Sequence, residues 1–285
     1  TLSLHDALPI YTAITAGKVV LGSNAATLGV GGTVTLADAT TLETSANTIV
    51  ANAVTLSGGQ ATFSTVSANN SLTISKAIDG AGGLIKSGTG TLTLDAANTY
   101  KGGTTVNAGT VVLATDTASL GSGAVTLKAG TTLDTAASLA NAIQLTGDGD
   151  SSTKDDLVRL TVAQAQSSTL SGIVTGDAGL IKDGIGQLTL TGDNRNYTGD
   201  IHVDVGTVSI NNSHALGGSN TVSFATDTML KTTDTVTLEN NILLSGTGNT
   251  TLDSAIHDST FRTGTISGTG ALTKQGTGKL ILEGN

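Results

Sequence analysis

The sequence predicts an all-β protein coiled into a parallel β-solenoid. Three observations lead to this fold class: a unit of roughly 90 to 100 residues recurs about three times, apolar residues alternate with Thr, Ser or Asn, and helix patterns are almost absent. Without crossover helices, parallel strands require the chain itself to coil. Each coil then stacks on the next at about 4.8 Å.

The recurrence is clearest in a block with the pattern Leu-x-Lys-x-Gly-x-Gly-x-Leu-x-Leu. It begins at Leu84, Leu180 and Leu272. The lysines of the three copies are 96 and 92 residues apart, which is too specific to come from composition bias. One structural unit is therefore repeated along the chain.

A second block, 98–113, pairs with 195–210 and places Tyr100 in line with Tyr197. We predict a single solenoid over residues 11–285, with repeat cores near 78–113, 173–210 and 266–285. Residues 1–10 contain the only proline, differ in pattern from the rest and resemble translated sequencing adapter, so we expect them to be non-native.

Short strands of about four to six residues are expected in each unit, with Gly, Asn and Asp where the chain turns. The stretch Leu92-Thr93-Leu94 shows the alternation typical of a strand with one buried face. Aromatic residues make up only 2% of the chain, as suits a narrow aliphatic interior. The residues predicted to point inward are Leu92, Leu94, Val111, Leu188, Leu190, Leu280 and Leu282.

The lysine of the first block has the same strand parity as its inward leucine. Lys86 lies two residues after Leu84, so a regular strand would place both side chains on the buried face. Two structural interpretations follow: the strand bends there, or the aliphatic stem is buried and the amine reaches a turn carbonyl.

Composition and charge exclude several classes of function. The net charge is −9, from 13 Lys and Arg against 22 Asp and Glu, and the basic residues are scattered. Nucleic-acid binding is therefore not expected. The chain has no cysteine, which removes disulfides and thiolate chemistry, and no cofactor is expected. No run approaches the 18 or more apolar residues of a membrane span.

Motifs for catalysis are absent. No nucleophile elbow, phosphate-binding loop, dinucleotide fingerprint or zincin motif occurs in the sequence. His202, His214 and His257 are isolated along the chain, whereas a metal site needs three or four convergent ligands. We expect these histidines to be surface residues and the chain not to be an enzyme.

The strongest candidate site is an acidic cluster. It comprises Asp148, Asp150, Ser152, Asp155 and Asp156, whose first oxygens have the one-three-five spacing of a calcium loop. Thr153 and Arg159 occupy the positions where an EF-hand needs Gly and Glu, so that motif is not formed. A solvated loop is the main interpretation, and a weak calcium site is the alternative.

The blocks at 80–94 and 98–111 resemble the autotransporter-associated β-strand repeat, also called the passenger-associated transport repeat. The second copy departs from the pattern at Ile185, Asp200 and His202, and the third lacks the Tyr-containing half. The resemblance implies a right-handed parallel β-helix, an elongated rod that forms the secreted passenger of a Gram-negative type V secretion protein. We expect a fragment of a larger passenger, whose C-terminal outer-membrane β-barrel is missing here.

By this resemblance we expect a noncatalytic stalk at the bacterial cell surface. It would support secretion and folding and would contribute to adhesion, with host or surface glycans or proteins as partners. A β-helical polysaccharide lyase or hydrolase is a second interpretation, for which only 148–159 offers clustered carboxylates near an arginine. A third is an ice- or polysaccharide-surface binder using outward threonines such as Thr91 and Thr93, or Thr104 and Thr105.

Overall fold

The computed structural model describes residues 11–24, 28–29, 31–147, 156–262 and 264–283. These described residues form 32 β-strands and no α-helix. The chain divides into two compact units, 1–126 and 127–285, and the division falls within one strand. Each unit is a parallel β-solenoid, which confirms the predicted fold class. One continuous solenoid over 11–285 stays a prediction, and residues 1–10 lie outside the described residues.

The first unit is built from short strands of three to six residues. They are β1 (Thr12–Ile14), β2 (Lys18–Leu21), β3 (Val34–Leu36), β4 (Thr41–Thr44), β5 (Thr48–Val50), β6 (Val54–Leu56), β7 (Gln60–Thr65), β8 (Ser71–Ile74), β9 (Ile78–Gly80), β10 (Gly83–Ser87), β11 (Thr91–Leu94), β12 (Thr104–Val106) and β13 (Thr110–Leu113), followed at the division by β14 (Val125–Lys128).

Strands of the first unit stack in three parallel sheets. From one edge to the other, the strands of the three sheets follow the orders β1-β3-β6-β9, β2-β4-β7-β10-β12 and β5-β8-β11-β13. Leu84 pairs with Ala61 of the preceding coil and with Thr104 of the following coil. One coil therefore takes 20 to 23 residues in this part of the chain.

The second unit continues the same kind of strand. Its strands are β15 (Thr132–Thr135), β16 (Ile143–Thr146), β17 (Leu157–Thr161), β18 (Ser167–Leu170), β19 (Val174–Gly176), β20 (Gly179–Asp183), β21 (Gln187–Leu190), β22 (Ile201–Val203), β23 (Thr207–Ile210), β24 (Thr221–Phe224), β25 (Met229–Thr232), β26 (Val236–Leu238), β27 (Asn241–Leu244), β28 (Asn249–Asp253), β29 (Ser259–Phe261), β30 (Ile266–Gly268), β31 (Ala271–Gln275) and β32 (Leu280–Leu282).

Parallel stacking also organises the second unit. The main orders are β15-β17-β20-β22-β24-β27-β30 and β18-β21-β23-β25-β28-β31, with β16-β19 and β26-β29-β32 as shorter sheets. In this register, Leu188 lies between Ser168 and Val208 of the neighbouring coils. Side chains of one parity therefore form inward ranks along the stack.

The predicted alternation is confirmed in both units. Leu92, Leu94, Val111, Leu188 and Leu190 are each at most 2% exposed. The threonines between them are only half-buried, because successive side chains of a strand point to opposite faces. Stacking therefore buries one aliphatic rank per sheet.

The prediction that Leu282 is buried is wrong, because its side chain is 58% exposed. This residue pairs in register with buried Phe261, so its strand parity matches the inward rank. Among the described residues no further strand lies against β32, and the outer side of Leu282 therefore stays open.

Candidate functional site

The predicted acidic cluster is only partly visible. Asp148, Asp150, Ser152 and Asp155 lie outside the described residues, so the solvated loop and the alternative of a weak calcium site both stay predictions. Asp156 is described and is buried at the start of β17. Arg159, three residues after Asp156, bonds through its guanidinium to the carboxylate of Asp183 at 2.6 Å.

The histidines have separate surroundings. His202 Nδ1 is 2.8 Å from Ser223 Oγ, and His214 Nδ1 is 3.5 Å from a carboxylate oxygen of Asp193. Asp204, two residues after His202, lies just beyond the end of β22. In the described part of the chain no three His, Cys, Asp or Glu side chains converge as a metal site would require.

A surface hollow of about 570 Å³ lies beside β9 in the first unit. Its lining includes one carboxylate and one lysine, Asp79 and Lys101, together with Thr55 and Thr99. Thr55 Oγ1 donates to Asp79 at 2.6 Å. Such a hollow offers hydrogen-bonding groups but no paired carboxylates.

Within the described ranges, no helix has the length and apolarity to cross a membrane.

The recurring motif has its most specific geometry at the lysine. Lys86 is fully buried on β10, in register with Phe63 on one side and Val106 on the other. A charged residue thus occupies a core position that neighbouring coils fill with apolar side chains. The strand is regular, and the aliphatic stem packs in the inward rank.

Three backbone carbonyls accept hydrogen bonds from the buried ammonium of Lys86. Its Nζ donates to the carbonyl oxygens of Ser87 at 2.8 Å and Gly88 at 2.6 Å, where its own strand ends and the turn begins. It also donates to Ala108 O at 3.0 Å, in the turn of the next coil. We call this arrangement of one ammonium and three turn carbonyls from two coils the lysine clasp.

The second copy repeats the lysine clasp. Lys182 is fully buried, and its Nζ donates to Asp183 O at 3.0 Å, Gly184 O at 2.6 Å and Val205 O at 3.0 Å. The order of partners is the same as for Lys86, with two carbonyls from its own turn and one from the next coil. Of the two interpretations that the sequence allows, the one in which the amine reaches a turn carbonyl is confirmed, and the contact with the next coil is an additional finding.

The third copy has only part of this arrangement. Lys274 Nζ donates to Gln275 O at 3.2 Å and Gly276 O at 2.9 Å. The residue pairs with buried Leu252 on one side and is exposed. In the described residues, Lys274 therefore has the two acceptors of its own turn without an acceptor from a next coil.

A glycine follows the acceptor carbonyl of each complete clasp. Gly109 has φ +76° and Gly206 has φ +81°, backbone angles that favour glycine. A Cβ at Gly109 would lie within 3 Å of Gly88 O and of Lys86 Nζ. Glycine is required at this point because two turns and an ammonium group approach closely.

Two buried asparagines connect coils on another side of the repeat. Asn98 accepts a bond from Ile78 N at 2.8 Å and donates to Ser119 O at 2.7 Å. Asn194 accepts from Val174 N and donates to Ala215 O, both at 2.7 Å. Each amide therefore connects the preceding coil to the following coil.

This geometry corrects the repeat alignment. The sequence blocks place Asn98 opposite Arg195, whereas the structure gives the role of Asn98 to Asn194. The second copy has one more residue between the asparagine and its tyrosine, so a comparison without gaps misses the equivalence. The asparagines could have been found by allowing one insertion in the turn.

The two repeat tyrosines are also buried. Tyr100 Oη is 2.5 Å from Thr104 Oγ1, which donates to Leu120 O. Tyr197 Oη is 2.9 Å from its acceptor, Ala178 O. Burial raises the pKa of both phenols well above the usual range, and the hydrogen bond between Tyr100 and Thr104 partly opposes the shift of Tyr100.

Burial shifts the pKa values of the two buried lysines in the opposite direction, downward. It lowers the pKa of Lys86 and of Lys182 to about 8, because the charged form is removed from water. The carboxylate of Asp183 partly offsets this change for Lys182. In the first two copies, the recurring lysine, asparagine and tyrosine side chains are thus buried and hydrogen-bonded within the chain, and the lysines and asparagines make contacts between coils.

The repeated blocks also match a known repeat family. The family model of the passenger-associated-transport-repeat matches residues 84–113, 180–210 and 272–285. The first two matches each contain a complete lysine clasp, and the third contains Lys274. No solved structure gave a significant match.

A curated relative points in the same direction. The chain is 30% identical over 145 residues to the adhesin BmaC autotransporter of Brucella suis biovar 1 (strain 1330). The match covers 51% of this chain and 4% of that relative, so the chain spans only a small part of the relative's length. The chain thus contains passenger-associated transport repeats within a parallel solenoid, and about half of it is similar to part of an autotransporter adhesin.

Proposed function

We propose that the chain is a noncatalytic structural part of an autotransporter passenger, a stalk that supports secretion and folding at the cell surface. The observation that carries this proposal is the use of the family motif: its lysines in the two complete copies bond to coils and not to an open site. Residues that recur for a structural reason need no substrate. A C-terminal outer-membrane β-barrel of the same polypeptide would anchor this stalk.

The stacking of coils supplies a physical drive for such a role. Leu92 is fully buried between Leu72 and Val111 of the adjacent coils, so its burial depends on both neighbours. Burying a leucine contributes about 1.5 to 3 kcal/mol. Each coil added outside the cell would therefore favour folding and oppose backward movement of the chain.

Adhesion is the second part of the proposal. The similar Brucella suis protein is named an adhesin, and a stalk at the cell surface would present adhesive segments to host or surface glycans or proteins. The polysaccharide lyase interpretation has less support, because Arg159 bonds to Asp183 on the neighbouring strand. The surface-binder interpretation depends on outward threonines, but Thr104 points inward and is buried, and no observation favours this interpretation over the stalk.

Deletion of one repeat tests the proposal. In the full-length protein, removal of residues 173–212 deletes the second motif and Lys182. We expect surface display to fall while binding per displayed molecule stays within about twofold of the intact protein. Display is measured by flow cytometry with an epitope tag outside the deleted region.

A matched control separates length from motif. Full-length Lys182→Met keeps every residue position and removes only one ammonium group, so a graded fall in display would support the motif itself. Normal display of the deletion variant with loss of a lyase or hydrolase activity would contradict the stalk. That outcome would direct attention to the acidic cluster and Arg159.

A further inference from the structure

We propose that the lysine clasp is a register lock between successive coils, formed by a buried ammonium that recognises the glycine turn of the next coil. Lys86 recognises the turn at Ala108 and Gly109, and Lys182 recognises the turn at Val205 and Gly206. The lysines act as positioning residues for the following coil. Because every contact lies within the chain, the lock does not depend on the proposed role in secretion.

The donor and acceptor numbers match at this site. A lysine ammonium has three N–H donors and no acceptor, and in each complete clasp three carbonyl oxygens lie 2.6 to 3.0 Å from Nζ. Burial of a charge without partners would be costly. The third carbonyl belongs to the next coil, so the ammonium is fully bonded only when that coil is in place.

The lock also explains why two sequence blocks recur together. The Lys-x-Gly-x-Gly block supplies the ammonium and two acceptors, and the later block supplies the third acceptor and a glycine with positive φ. Gly109 is 23 residues after Lys86, and Gly206 is 24 residues after Lys182. Each block thus contains one half of the same contact.

Register is the property that such a contact controls. A slip of one residue moves a strand by about 3.3 Å and reverses the faces of its side chains. In a solenoid of alternating Leu and Thr, registers that differ by two residues keep the same face inward and bury similar apolar area. A single ammonium bonded at 3.0 Å to Ala108 O distinguishes them, because a shifted turn would leave the buried charge with two acceptors.

Hydrogen exchange of the intact 285-residue chain tests the lock, with reciprocal variants. Lys86→Met keeps the stem volume and removes the ammonium. We expect about tenfold faster exchange at the amides of Asn107 and Thr110, which bond to Lys86 O and Gly90 O. Lys182→Met should produce the same change at Asp204 and Thr207, which bond to Lys182 O and Gly186 O.

Lys274→Met is the matched control. It removes the same group from the same motif where no next-coil acceptor is bonded in the described residues, and neither pair of amides should change. Unchanged exchange in Lys86→Met would overturn the lock. Equal acceleration across the whole chain in both buried-lysine variants would also overturn it, since that result indicates general packing.

If Lys86→Met does not fold, the unmodified chain still decides the question. Nuclear magnetic resonance of the lysine ammonium groups should show Nζ protons of Lys86 and Lys182 that exchange at least about tenfold more slowly than those of Lys274. Equal exchange rates for the three would contradict a lock that depends on the third carbonyl.

Discussion

Leu188 and Thr189 are adjacent residues on opposite faces of β21. Leu188 is fully buried in its inward rank, and Thr189 is half-buried on the outer face. Leu188→Asp would place an unpaired charge in the interior, so we expect the free energy of unfolding to fall by about 3 kcal/mol or more. Thr189→Asp should cost less than about 1 kcal/mol. Urea denaturation followed by circular dichroism measures both, and equal shifts in midpoint would contradict the strand parity.

The buried lysines predict a characteristic pH dependence. Burial lowers the pKa of Lys86 and Lys182 from the usual 10.5 to about 8 in the folded chain. Between pH 8 and 10.5 the unfolded chain therefore binds more protons, so stability rises with pH over this window. Relative to the Lys86→Met and Lys182→Met double variant, the intact chain should gain stability from pH 8 to 10.5 and show no relative change below pH 7.

Comparison with the double variant removes the contributions of the other titrating groups. Urea midpoints of both chains are measured at intervals of half a pH unit. A relative loss of stability between pH 8 and 10.5 would mean that the three carbonyls favour the charged ammonium more strongly than burial disfavours it. The direction of the pKa shift would then be wrong.

Asn194 and Asn196 provide a matched pair in one turn. Asn194 is buried and bonds to two coils, whereas Asn196 is exposed. Asn194→Ala leaves the N–H of Val174 and the carbonyl of Ala215 without this partner, at a cost of about 1 to 3 kcal/mol. Asn196→Ala should stay within about 0.5 kcal/mol. Similar losses in thermal denaturation would show that the buried amide does not connect the coils.

Residue-level predictions from the sequence succeeded where local periodicity was sufficient. The parity of Lys86 with Leu84 allowed either a bent strand or a buried stem with its amine at a turn, and the structure has the second. The bond to Ala108 could not be predicted, because it depends on the register of a coil that periodicity alone does not fix. Asn194 was missed for a similar reason, since one inserted residue shifts the turn.

At the scale of the element, the turns depend on individual glycines. Gly109 and Gly130 have nearly the same φ, +76° and +78°, but only Gly109 has atoms within 4 Å of an added Cβ. We expect Gly130→Ala to cost about 1 kcal/mol from backbone strain alone. Gly109→Ala should cost about 2 kcal/mol more, because the methyl group displaces a turn carbonyl or Lys86 Nζ.

Thermal denaturation of the two glycine variants measures this difference. Equal losses of stability in the two variants would show that the turns around Gly109 can move apart without cost, which would contradict the steric effect expected there.

Strand boundaries could be predicted from Gly and from the alternation of Leu and Thr. The assignment of strands to three sheets in the first unit could not, because corner geometry depends on contacts between coils.

At the scale of the whole molecule, the sequence predicted a repeated parallel coil, and both units have that architecture. The acidic cluster shows the limit of sequence reasoning: Asp156 was grouped with a solvated loop, yet it is buried where β17 begins. Spacing of carboxylates along the chain does not reveal which of them the fold encloses. Burial depends on the neighbouring coils, and an isolated polar stretch contains no information about them.

The repeat tyrosines have an optical consequence. The chain has three tyrosines and no tryptophan, and each unit buries one of them, Tyr100 in the first and Tyr197 in the second. Intrinsic fluorescence therefore comes from tyrosine alone. Replacing Tyr11, which is 64% exposed, together with one buried tyrosine by phenylalanine would leave a single native fluorophore in a chosen unit. Each unit thus contains its own spectroscopic reporter, and the order in which the two units unfold can be followed without an added dye.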